Sequence, residues 1–283
     1  MFRSTLRPLR RSLSTATASA NASTTTESST TRRIGAVLFS GCCGATATLC
    51  YWQTQRYQWK LRLIDERQAS LAASPQPLRA LVPDPSTGLP EAQQFQRVTL
   101  EGTFDHSHQV LVGPRSAPAG AGVGGNAPAG AANQSGWDVL TPLACSDGTR
   151  VLINRGWVPR DAVASVEQPA GRQVVSGVLK AGEARNKYAT NDVPNRRYVW
   201  LDLDTVAAES GSSPLLVVSV GSDLNGGAAA ATSRRGEPRW PHARPLDSFM
   251  KFNVMPSTHV TYAATWASLT VAGGIITYLR FIK

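Results

Sequence analysis

Residues 34 to 52 read IGAVLFSGCCGATATLCYW and contain no charged side chain over 19 positions. Since an α-helix rises about 1.5 Å per residue, a segment of this length is just long enough to cross a hydrocarbon core of about 30 Å. The alternative is a helix buried in a protein core, because Gly, Thr and Cys make this run only mildly hydrophobic. The stretch predicts a first transmembrane helix.

A second uncharged run lies close to the C-terminus. Residues 260 to 279 read VTYAATWASLTVAGGIITYL, which adds 20 positions, and the basic residues Arg280 and Lys283 follow it. Basic residues commonly flank membrane spans, so we interpret this run as a second transmembrane helix, again against the alternative of a core helix. Residues 53 to 258 then form one domain between the two helices, and residues 280 to 283 form a short tail.

The first 33 residues have a composition of their own. They hold six Arg and one Glu, so they account for half of the formal net charge of +10. An Arg-rich, Ser-rich and acid-poor N-terminus without a long apolar run is typical of a mitochondrial or chloroplast transit peptide, and a basic tail without a targeting role is the alternative. We predict a disordered mitochondrial transit peptide over residues 1 to 33. With this charge assigned to the leader, we expect no nucleic-acid partner.

Charge also predicts an orientation. Two spans place both termini on one side of a membrane, and Arg32 and Arg33 before the first span match Arg280 and Lys283 after the second. Basic residues just past the first span weaken this argument, but import through a transit peptide favours the same orientation. We therefore expect a mitochondrial inner-membrane protein with both termini in the matrix and the middle domain in the intermembrane space.

The middle domain begins with a helical pattern and continues with strand patterns. Helical character runs over residues 53 to 74, up to Pro75 and Pro77, which predicts a stalk. From residue 93 to residue 220, short β-branched and aromatic runs alternate with Gly, Pro and Asp, which predicts strands. The runs are QRVTLEG, QVLVG, WDVLTPL, RVLINRGWV, QVVSGVL, RYVWLDL and LLVVSV.

The fold class that follows is a membrane-anchored α+β protein, in which two transmembrane helices bracket a β-rich, mostly antiparallel soluble domain. Leu203 to Glu209 is the one plausible short helix among the strands. Residues 117 to 132 and 225 to 236 are low-complexity stretches rich in Gly and Ala, and we predict that both are disordered loops.

Several strings occur in a recognisable order along residues 51 to 283. They are Tyr51-Trp52-Gln53, Gly102-Thr103-Phe104-Asp105-His106-Ser107, Gly113-Pro114-Arg115, Asn154-Arg155-Gly156-Trp157-Val158-Pro159, and the group His259, Tyr262, Thr265, Trp266 and Leu269. In their order and in the two flanking spans, they resemble the Surfeit locus protein one family, also called Shy-one, of cytochrome c oxidase assembly factors. The string from Asn154 to Pro159 is the most specific and looks like the family's central motif.

The resemblance implies a role in assembling the catalytic core of cytochrome c oxidase, respiratory complex IV, at or near the step where haem a enters subunit one. It implies subunit one and other oxidase assembly factors as partners, and haem a as a transient cofactor beside the second-span histidine. The alternative is a scaffold or chaperone that holds a partly assembled oxidase subunit without touching haem.

The second span carries the candidate haem-binding residues. At 100° per residue, His259, Tyr262 and Trp266 share one stripe of a helix. A neutral imidazole can ligate haem iron, and neighbouring apolar rings suit a porphyrin plane. In the alternative, His259 is an interfacial residue bonded to Asn253 or water, and the two rings pack on the first span.

Close helix packing is the expected role of six small residues in the two spans, because small side chains let helix backbones approach each other. These residues are Gly41, Ala45, Gly44 and Thr48 in the first span, and Gly273 and Gly274 in the second.

The central motif supplies the other candidates. Arg115 and Arg155, each beside Gly in a turn context, could pair with haem propionates or a partner's carboxylates, or could fix loop carbonyls within their own domain. Replacing Trp157 should destabilise the soluble domain if its ring is buried in the β core; otherwise the motif is a partner surface. The full set, a partner-binding or structural motif, is Arg115, Asn154, Arg155, Gly156, Trp157 and Pro159.

No catalytic or metal site is expected. His106 and His108 have a spacing that suits copper or zinc, but no third ligand of similar quality follows, so solvated polar residues are the simpler interpretation. Cys145 is the one cysteine outside the first span, and nothing identifies a base that would activate it. The chain contains no GxSxG, HExxH, phosphate-loop or Rossmann motif, so we expect no enzyme.

Overall fold

The computed structural model describes residues 29–118, 135–221, 239–252 and 254–283. Contacts divide the chain into two units, Met1–Thr54 with Val260–Lys283, and Gln55–His259. We call the described part of the first the helix-pair unit and that of the second the barrel unit.

The described ranges contain four α-helices and eight β-strands. The helices are α1 Ser29–Ala72, α2 Leu78–Leu81, α3 Leu203–Ser210 and α4 Pro256–Thr277, which a π-helical turn, Tyr278–Ile282, continues. The strands are β1 Gln76–Pro77, β2 Arg97–Phe104, β3 Val110–Ser116, β4 Ser135–Cys145, β5 Arg150–Pro159, β6 Arg172–Lys180, β7 Arg197–Tyr198 and β8 Ser213–Ser219.

Two of the helices are long and apolar enough to cross a membrane, judged by length and composition. They are Ser29–Ala72, with a mean hydropathy of 1.5 over its most apolar window, and Pro256–Ile282, with 1.2. α1 contains the uncharged run of residues 34 to 52. Its start at Ser29 corrects one expectation, because the last five residues of the predicted transit peptide are helical rather than disordered; residues 1 to 28 lie outside the described ranges.

The contact inside the helix-pair unit differs from the predicted one. A Cβ added to Gly273 would lie 2.8 Å from Cys43 Sγ, so these two residues meet closely. A Cβ added to Gly41, Gly44 or Gly274 would meet no described neighbour within 4 Å. The prediction that these three glycines form the helix contact was wrong, because Gly41 and Gly44 lie about 200° and 100° around α1 from Cys43.

Polar groups join the same two helices. The hydroxyls of Thr46 and Thr270 lie 2.8 Å apart, and Arg32 Nε donates to the Phe281 carbonyl at 2.9 Å. The rings of Phe39 and Phe281 lie 5.5 Å apart. The interface therefore follows one face of α1, on which Phe39, Cys43 and Thr46 recur at helical spacing.

Five strands of the barrel unit close on themselves. β2 pairs with β6, β6 with β8, β8 with β5, β5 with β4, and β4 again with β2. β4 is long enough to pair with two strands along the same edge. Its first half pairs with β3, and its last three residues pair with the end of β2. The result is a five-stranded barrel that β3 and β7 extend on one side.

Side chains alternate between the inside and the outside of this barrel. The interior cluster draws on all five barrel strands, and β5 and β8 also bury their outer faces. Strands that are buried on both faces read as continuous apolar runs, which explains LLVVSV and RVLIN. The interior cluster includes Val98, Leu100, Leu143, Ile153, Val175, Leu179, Leu215 and Val217; the outer cluster includes Val112, Leu140, Leu152, Val178, Tyr198, Leu216 and Val218.

The prediction of a β-rich, mostly antiparallel domain between two apolar helices is confirmed, as is the short helix, which is α3. The sequence did not predict that β5 and β8 pair in parallel or that the sheet closes. The predicted low-complexity loops fall largely on residues 119–134 and 222–238, outside the described ranges.

One predicted strand is almost absent. Only Arg197–Tyr198 of the run RYVWLDL pairs as a strand. Beyond it, Asn191 Oδ1 accepts hydrogen bonds from the amides of Val199 and Trp200 at 2.8 and 3.3 Å. Because a side-chain amide takes the place of a neighbouring strand, the apolar pattern of this run does not produce a longer one.

Candidate functional site

Trp157, in the central motif on β5, is fully buried in the barrel unit. Its indole Nε1 donates to the Arg115 carbonyl at 3.0 Å, and its ring lies 5.9 Å from that of Trp240 in an edge-on arrangement. The ring belongs to a buried cluster with Val139, Val158, Val166 and Trp240. A buried indole with a satisfied N–H contributes packing and orientation together.

Gly156 allows a second chain segment to cross β5. Its φ of 133° is a conformation that other residues rarely adopt. A Cβ on Gly156 would lie 2.2 Å from the His242 carbonyl oxygen, and Trp157 and His242 exchange backbone hydrogen bonds of 2.9 and 2.7 Å. The glycine is therefore required for this backbone contact.

Arg155 is the extra residue of a β-bulge, since Val139 pairs with Gly156 and Leu140 with Asn154. Its Nη2 donates to the Glu167 carbonyl at 2.6 Å. Burial lowers the pKa of its guanidinium to about 10, against an opposing effect of the Glu167 charge. The structure thus gives Arg155 the loop-fixing contact named as an alternative. Pro159, the last motif residue, ends β5 opposite Gly136.

Asn154 links the motif to a charged cluster. Its Oδ1 accepts the Gly156 amide at 3.0 Å, and its Nδ2 donates to Asp138 Oδ2 at 3.2 Å. Arg244 Nη2 lies 2.9 Å from both carboxylate oxygens of Asp138, which is only 7% exposed. The Asp138 carboxylate is therefore held by a cation and an amide together.

Arg115 forms the second ion pair of this cluster. Its Nη2 lies 2.5 Å from Glu183 Oε1, and Glu183 Oε2 accepts the Leu201 amide at 3.0 Å. Burial opposes ionisation of Glu183, but these hydrogen bonds and the Arg115 charge outweigh it, so the pKa of Glu183 is lowered. Neither candidate arginine meets the other in this arrangement.

These side chains border a cavity of about 210 Å³, which we call the cationic cavity. Apolar residues of the outer cluster, such as Leu140 and Val218, form part of its lining. Five basic and two acidic side chains also line it, an excess of three positive charges. They are Arg67, Arg115, Lys180, Arg244 and Lys251, with Asp138 and Glu183.

Lys180 is the last residue of β6 and is solvent-accessible. None of the described carboxylates forms an ion pair with it. Desolvation by the surrounding protein, followed by repulsion from Arg244, lowers the pKa of its ammonium, although Glu183 and Asp138 act in the opposite direction.

Arg67 approaches the cationic cavity from α1. Its guanidinium lies 3.9 Å from the ring centre of Phe95 and 4.3 Å from that of Phe252, and Nη1 donates to the Phe249 carbonyl at 3.3 Å. Burial lowers its pKa, and its Nε is buried without a hydrogen-bond partner. Aromatic faces thus hold this cation where a carboxylate would otherwise be expected.

The three candidate haem-binding residues all lie in α4. Tyr262 is 53% exposed, whereas Thr270 and Gly273, which continue the same stripe, contact Thr46 and Cys43 of the first helix. The C-terminal part of this stripe therefore packs against the first helix. Asn253, the suggested partner of the histidine, lies outside the described residues.

The remaining candidates lack a catalytic or metal-binding arrangement within the part of the chain that the structure describes. No group of three His, Cys, Asp or Glu side chains could hold a metal ion there. His106 Nε2 lies 3.1 Å from the Pro169 carbonyl, and His108 Nδ1 lies 2.7 Å from Asp105 Oδ2. Burial raises the pKa of the Cys145 thiol to about 11, which suppresses the nucleophilic thiolate near neutral pH.

The model of the SURF1 family matches residues 41–271, which include most of both apolar helices and the whole barrel unit. The chain belongs to the SURF1 family. The resemblance inferred from the order of its motifs is therefore confirmed.

Individual relatives carry the same family name. Surfeit locus protein 1 of Xenopus tropicalis is 30% identical over 247 residues, which cover 84% of this chain and 73% of the relative. Surfeit locus protein 1 of Homo sapiens and the SURF1-like protein of Drosophila melanogaster are each 28% identical, and each match covers 82% of this chain and 72% of the relative.

Six charged residues of the cationic cavity in this SURF1-family chain were missed in the sequence. Only Asp138 leaves a local signal, because it is an acidic residue inside the apolar strand WDVLTPL. Such a residue is buried only if it is paired. The other five give no comparable signal: Arg67, Lys180, Glu183, Arg244 and Lys251.

Proposed function

We propose that this SURF1-family chain is a mitochondrial inner-membrane factor that assists the assembly of cytochrome c oxidase, at or near the entry of haem a into subunit one. The observation that carries the proposal is the family match over residues 41–271, because it includes the barrel and most of both apolar helices rather than one motif. The order of motifs resembles oxidase assembly factors throughout this range. Subunit one and other assembly factors are the partners that this role requires.

Anchoring in the membrane is supported by the surface of the helix-pair unit. Val37 is 72% exposed, Val271 63% and Ile275 55%. Each apolar square ångström that is left in water forgoes about 25 cal/mol, so a unit with this surface favours a hydrocarbon environment. The transit-peptide composition of residues 1 to 33 supports the mitochondrial inner membrane, with the barrel in the intermembrane space and both termini in the matrix.

Haem handling would depend on the N-terminal part of the stripe on α4, where His259 and Tyr262 lie. Haem a would bring an iron that accepts an imidazole ligand, and His259 is the residue that would supply it. Tyr262, with its exposed ring, would cover one side of the porphyrin. Trp266 belongs to the same stripe, but Thr270 and Gly273 below it already pack on the first helix. Because Thr270 and Gly273 are packed, the proposal places a haem at the His259 end of the stripe.

The second candidate function is a scaffold that holds an unfinished oxidase subunit without haem. The packing of Thr270 and Gly273 against the first helix favours it, because this contact would have to open for a haem to lie between the helices. The central motif favours neither candidate, since Arg115 and Arg155 are both engaged within the barrel unit. In both candidates the chain is not an enzyme.

Purified full-length chain separates the two candidates. After expression in cells that make haem a, we expect a stoichiometric haem a spectrum and, in cells that lack the chain, loss of assembled oxidase on native gels. Oxidase loss together with haem-free protein would favour the scaffold. Normal oxidase in cells without the chain would contradict both candidates.

Topology has its own test. Protease added to intact mitoplasts should digest the barrel unit and leave an epitope placed after Lys283 protected, because the orientation places both termini in the matrix. Detergent-opened mitoplasts, in which the epitope must be digested, provide the control. Digestion of the epitope in intact mitoplasts would reverse the proposed orientation.

A further inference from the structure

The cationic cavity holds more positive charge than its own carboxylates neutralise. Asp138 and Glu183 are each engaged by one arginine, Arg244 and Arg115. Lys180 lies beside these pairs without an ion pair to any described carboxylate. We propose that the cationic cavity binds inorganic phosphate or a phosphate monoester, the monoester being either soluble or the headgroup of a phosphatidic acid.

The charge of the site favours phosphate over a carboxylate. Five basic and two acidic side chains leave an excess of three positive charges. A phosphate monoester carries about two negative charges near neutral pH and a carboxylate only one, so the phosphate neutralises this excess more fully. The proposal rests on this geometry and does not depend on the oxidase assembly role.

The hydrogen-bonding capacity of the two ion pairs points the same way. Arg244 and Arg115 each use Nη2 for the carboxylate that they bind. A guanidinium offers five N–H donors in a fixed fork, so one carboxylate contact does not consume it. Lys180 adds an ammonium, which binds phosphate as a point charge. Two forks and one ammonium thus surround the same space.

The size of the cavity limits what it can take. Pockets for drug-sized ligands and cofactors measure about 300 to 1,000 Å³, whereas this one measures about 210 Å³. It accommodates a phosphate and some water but not a haem. The apolar lining by Leu140 and Val218 reduces the dielectric screening around the charges, which strengthens a bound ion pair.

The carrier of the phosphate has two possible sources that share this chemistry. A soluble phosphate needs only the charged lining. The monoester headgroup of a phosphatidic acid would use the same charges, and its glycerol would lie near apolar residues such as Phe249. The two sources predict different responses to the composition of the surrounding bilayer.

The test uses the full chain in an uncharged detergent. Inorganic phosphate is titrated at ionic strength held constant with sodium chloride, and the melting temperature is followed. A ligand that binds the folded state stabilises it in a saturable manner, so we expect a saturable rise. Acetate should give no such rise at the same concentrations. A rise as large with acetate would assign the site to carboxylates and overturn the proposal.

Substitutions locate the effect. Lys180→Gln should weaken phosphate binding at least about tenfold, because a charge-assisted hydrogen bond is lost, whereas Lys180→Arg should retain most of it. The matched control is Lys187→Gln, which removes the same charge from an exposed loop residue and should bind phosphate as the wild type does. Equal melting temperatures without phosphate establish that the variants are folded. Wild-type affinity in Lys180→Gln would refute the site.

Nanodiscs distinguish the sources. The full chain is placed in phosphatidylcholine discs with and without phosphatidic acid, and the phosphate titration is repeated. An unchanged response to phosphate in both discs identifies a soluble phosphate. Stabilisation by phosphatidic acid, with loss of the phosphate response, identifies a lipid headgroup, provided that Lys180→Gln abolishes it. The absence of any saturable response to both probes would refute the proposal.

Discussion

The two units of this chain use the same kinds of apolar side chain in opposite ways. In the barrel unit, Trp157, Tyr198 and Ile153 are completely buried, whereas Val37 and Ile275 of the helix-pair unit are 72% and 55% exposed. Exclusion of water stabilises the barrel. Under the proposed membrane anchoring it contributes little to the contact between the two helices. Apolar composition alone therefore does not report stability; what matters is whether the neighbours are protein, water or lipid.

Polar contacts differ between the units as well. In the barrel unit, Asp138 is held by Arg244 and Asn154 at a position that is 7% exposed. In the helix-pair unit, the described contacts include the Thr46 and Thr270 hydroxyls and the hydrogen bond from Arg32 to the Phe281 carbonyl. Substitutions should therefore have large effects in the barrel and small effects in the helix pair.

The largest effect is expected for Trp157→Ala. Removing a fully buried indole leaves a cavity, and such substitutions cost about 3 to 5 kcal/mol. Urea unfolding of the full chain in detergent, followed by circular dichroism, should show this loss, and the steady-state protein level in cells should fall.

Trp59→Ala is the matched control, because this tryptophan is 42% exposed and its ring mainly contacts the Arg56 guanidinium at 4.5 Å. It should cost less than about 1 kcal/mol. Equal losses for the two variants would show that burial does not determine how much a tryptophan contributes to stability. Normal abundance of Trp157→Ala without oxidase assembly would instead identify the motif as a partner surface.

Asp138→Asn should have the next largest effect. The substitution keeps the side-chain volume but leaves Arg244, whose side chain is 26% exposed, without its anion. Fully buried pairs cost about 3 to 5 kcal/mol when one partner is removed, so partial exposure of the arginine reduces the expected loss to about 1 to 3 kcal/mol. The same urea unfolding measures it.

Glu101→Gln is the matched control for Asp138→Asn. It also removes a carboxylate from an ion pair, but the pair of Glu101 with Arg172 is largely exposed. Exposed pairs contribute about 0 to 1 kcal/mol. If Asp138→Asn loses no more stability than Glu101→Gln, the cluster around the cationic cavity is not a structural element of the barrel.

Prediction from the sequence succeeded where the signal is local. Uncharged runs identified both apolar helices, and β-branched runs identified most strands, because helical and strand periods are properties of adjacent residues. Closure of the barrel was not predictable in this way, since it requires β4 to return to β2 and β8 to lie parallel to β5. Strand pairing depends on the path of the whole chain.

The same distinction explains the candidate site. The motif from Asn154 to Pro159 is continuous, so its burial could be anticipated from one apolar strand. The cationic cavity combines residues that are distant along the chain, and Arg244 lies 106 positions from Asp138. No periodic pattern reports such a pair. The contact of the helix pair was mispredicted because small residues indicate where close approach is allowed, but not which face is used.

Thr270→Val should have a small effect in the helix-pair unit. Hydrogen bonds between membrane helices contribute about 0.6 kcal/mol on average. A double-mutant cycle with Thr46→Val isolates the coupling between the two hydroxyls, measured by unfolding in mixed micelles. Thr265→Val is the control, because Thr265 donates to the Thr261 carbonyl of its own helix and should show no coupling. A coupling above about 2 kcal/mol would remove the contrast between the units.

The smallest effect on stability is expected for His259→Ala, and it tests whether α4 serves packing or cofactor handling. His259 is half-buried at the start of α4, so its truncation should change stability by less than about 1 kcal/mol, and the protein should accumulate normally in cells. Loss of an axial ligand is independent of that stability. Under the haem proposal, the variant should therefore yield less haem-loaded protein and less mature oxidase, measured by the haem a spectrum and by native gels.

Tyr262→Phe should be much milder, because it retains the ring that would cover a porphyrin. His259→Met should restore part of the haem content, since a thioether also ligates haem iron. A structural role for His259 would not produce this rescue, because packing does not depend on an electron pair at the side chain. Haem content equal to the wild type in purified His259→Ala would show that His259 is not a haem ligand. The scaffold function would then be favoured, because Thr270 and Gly273 of the same stripe already pack against the first helix.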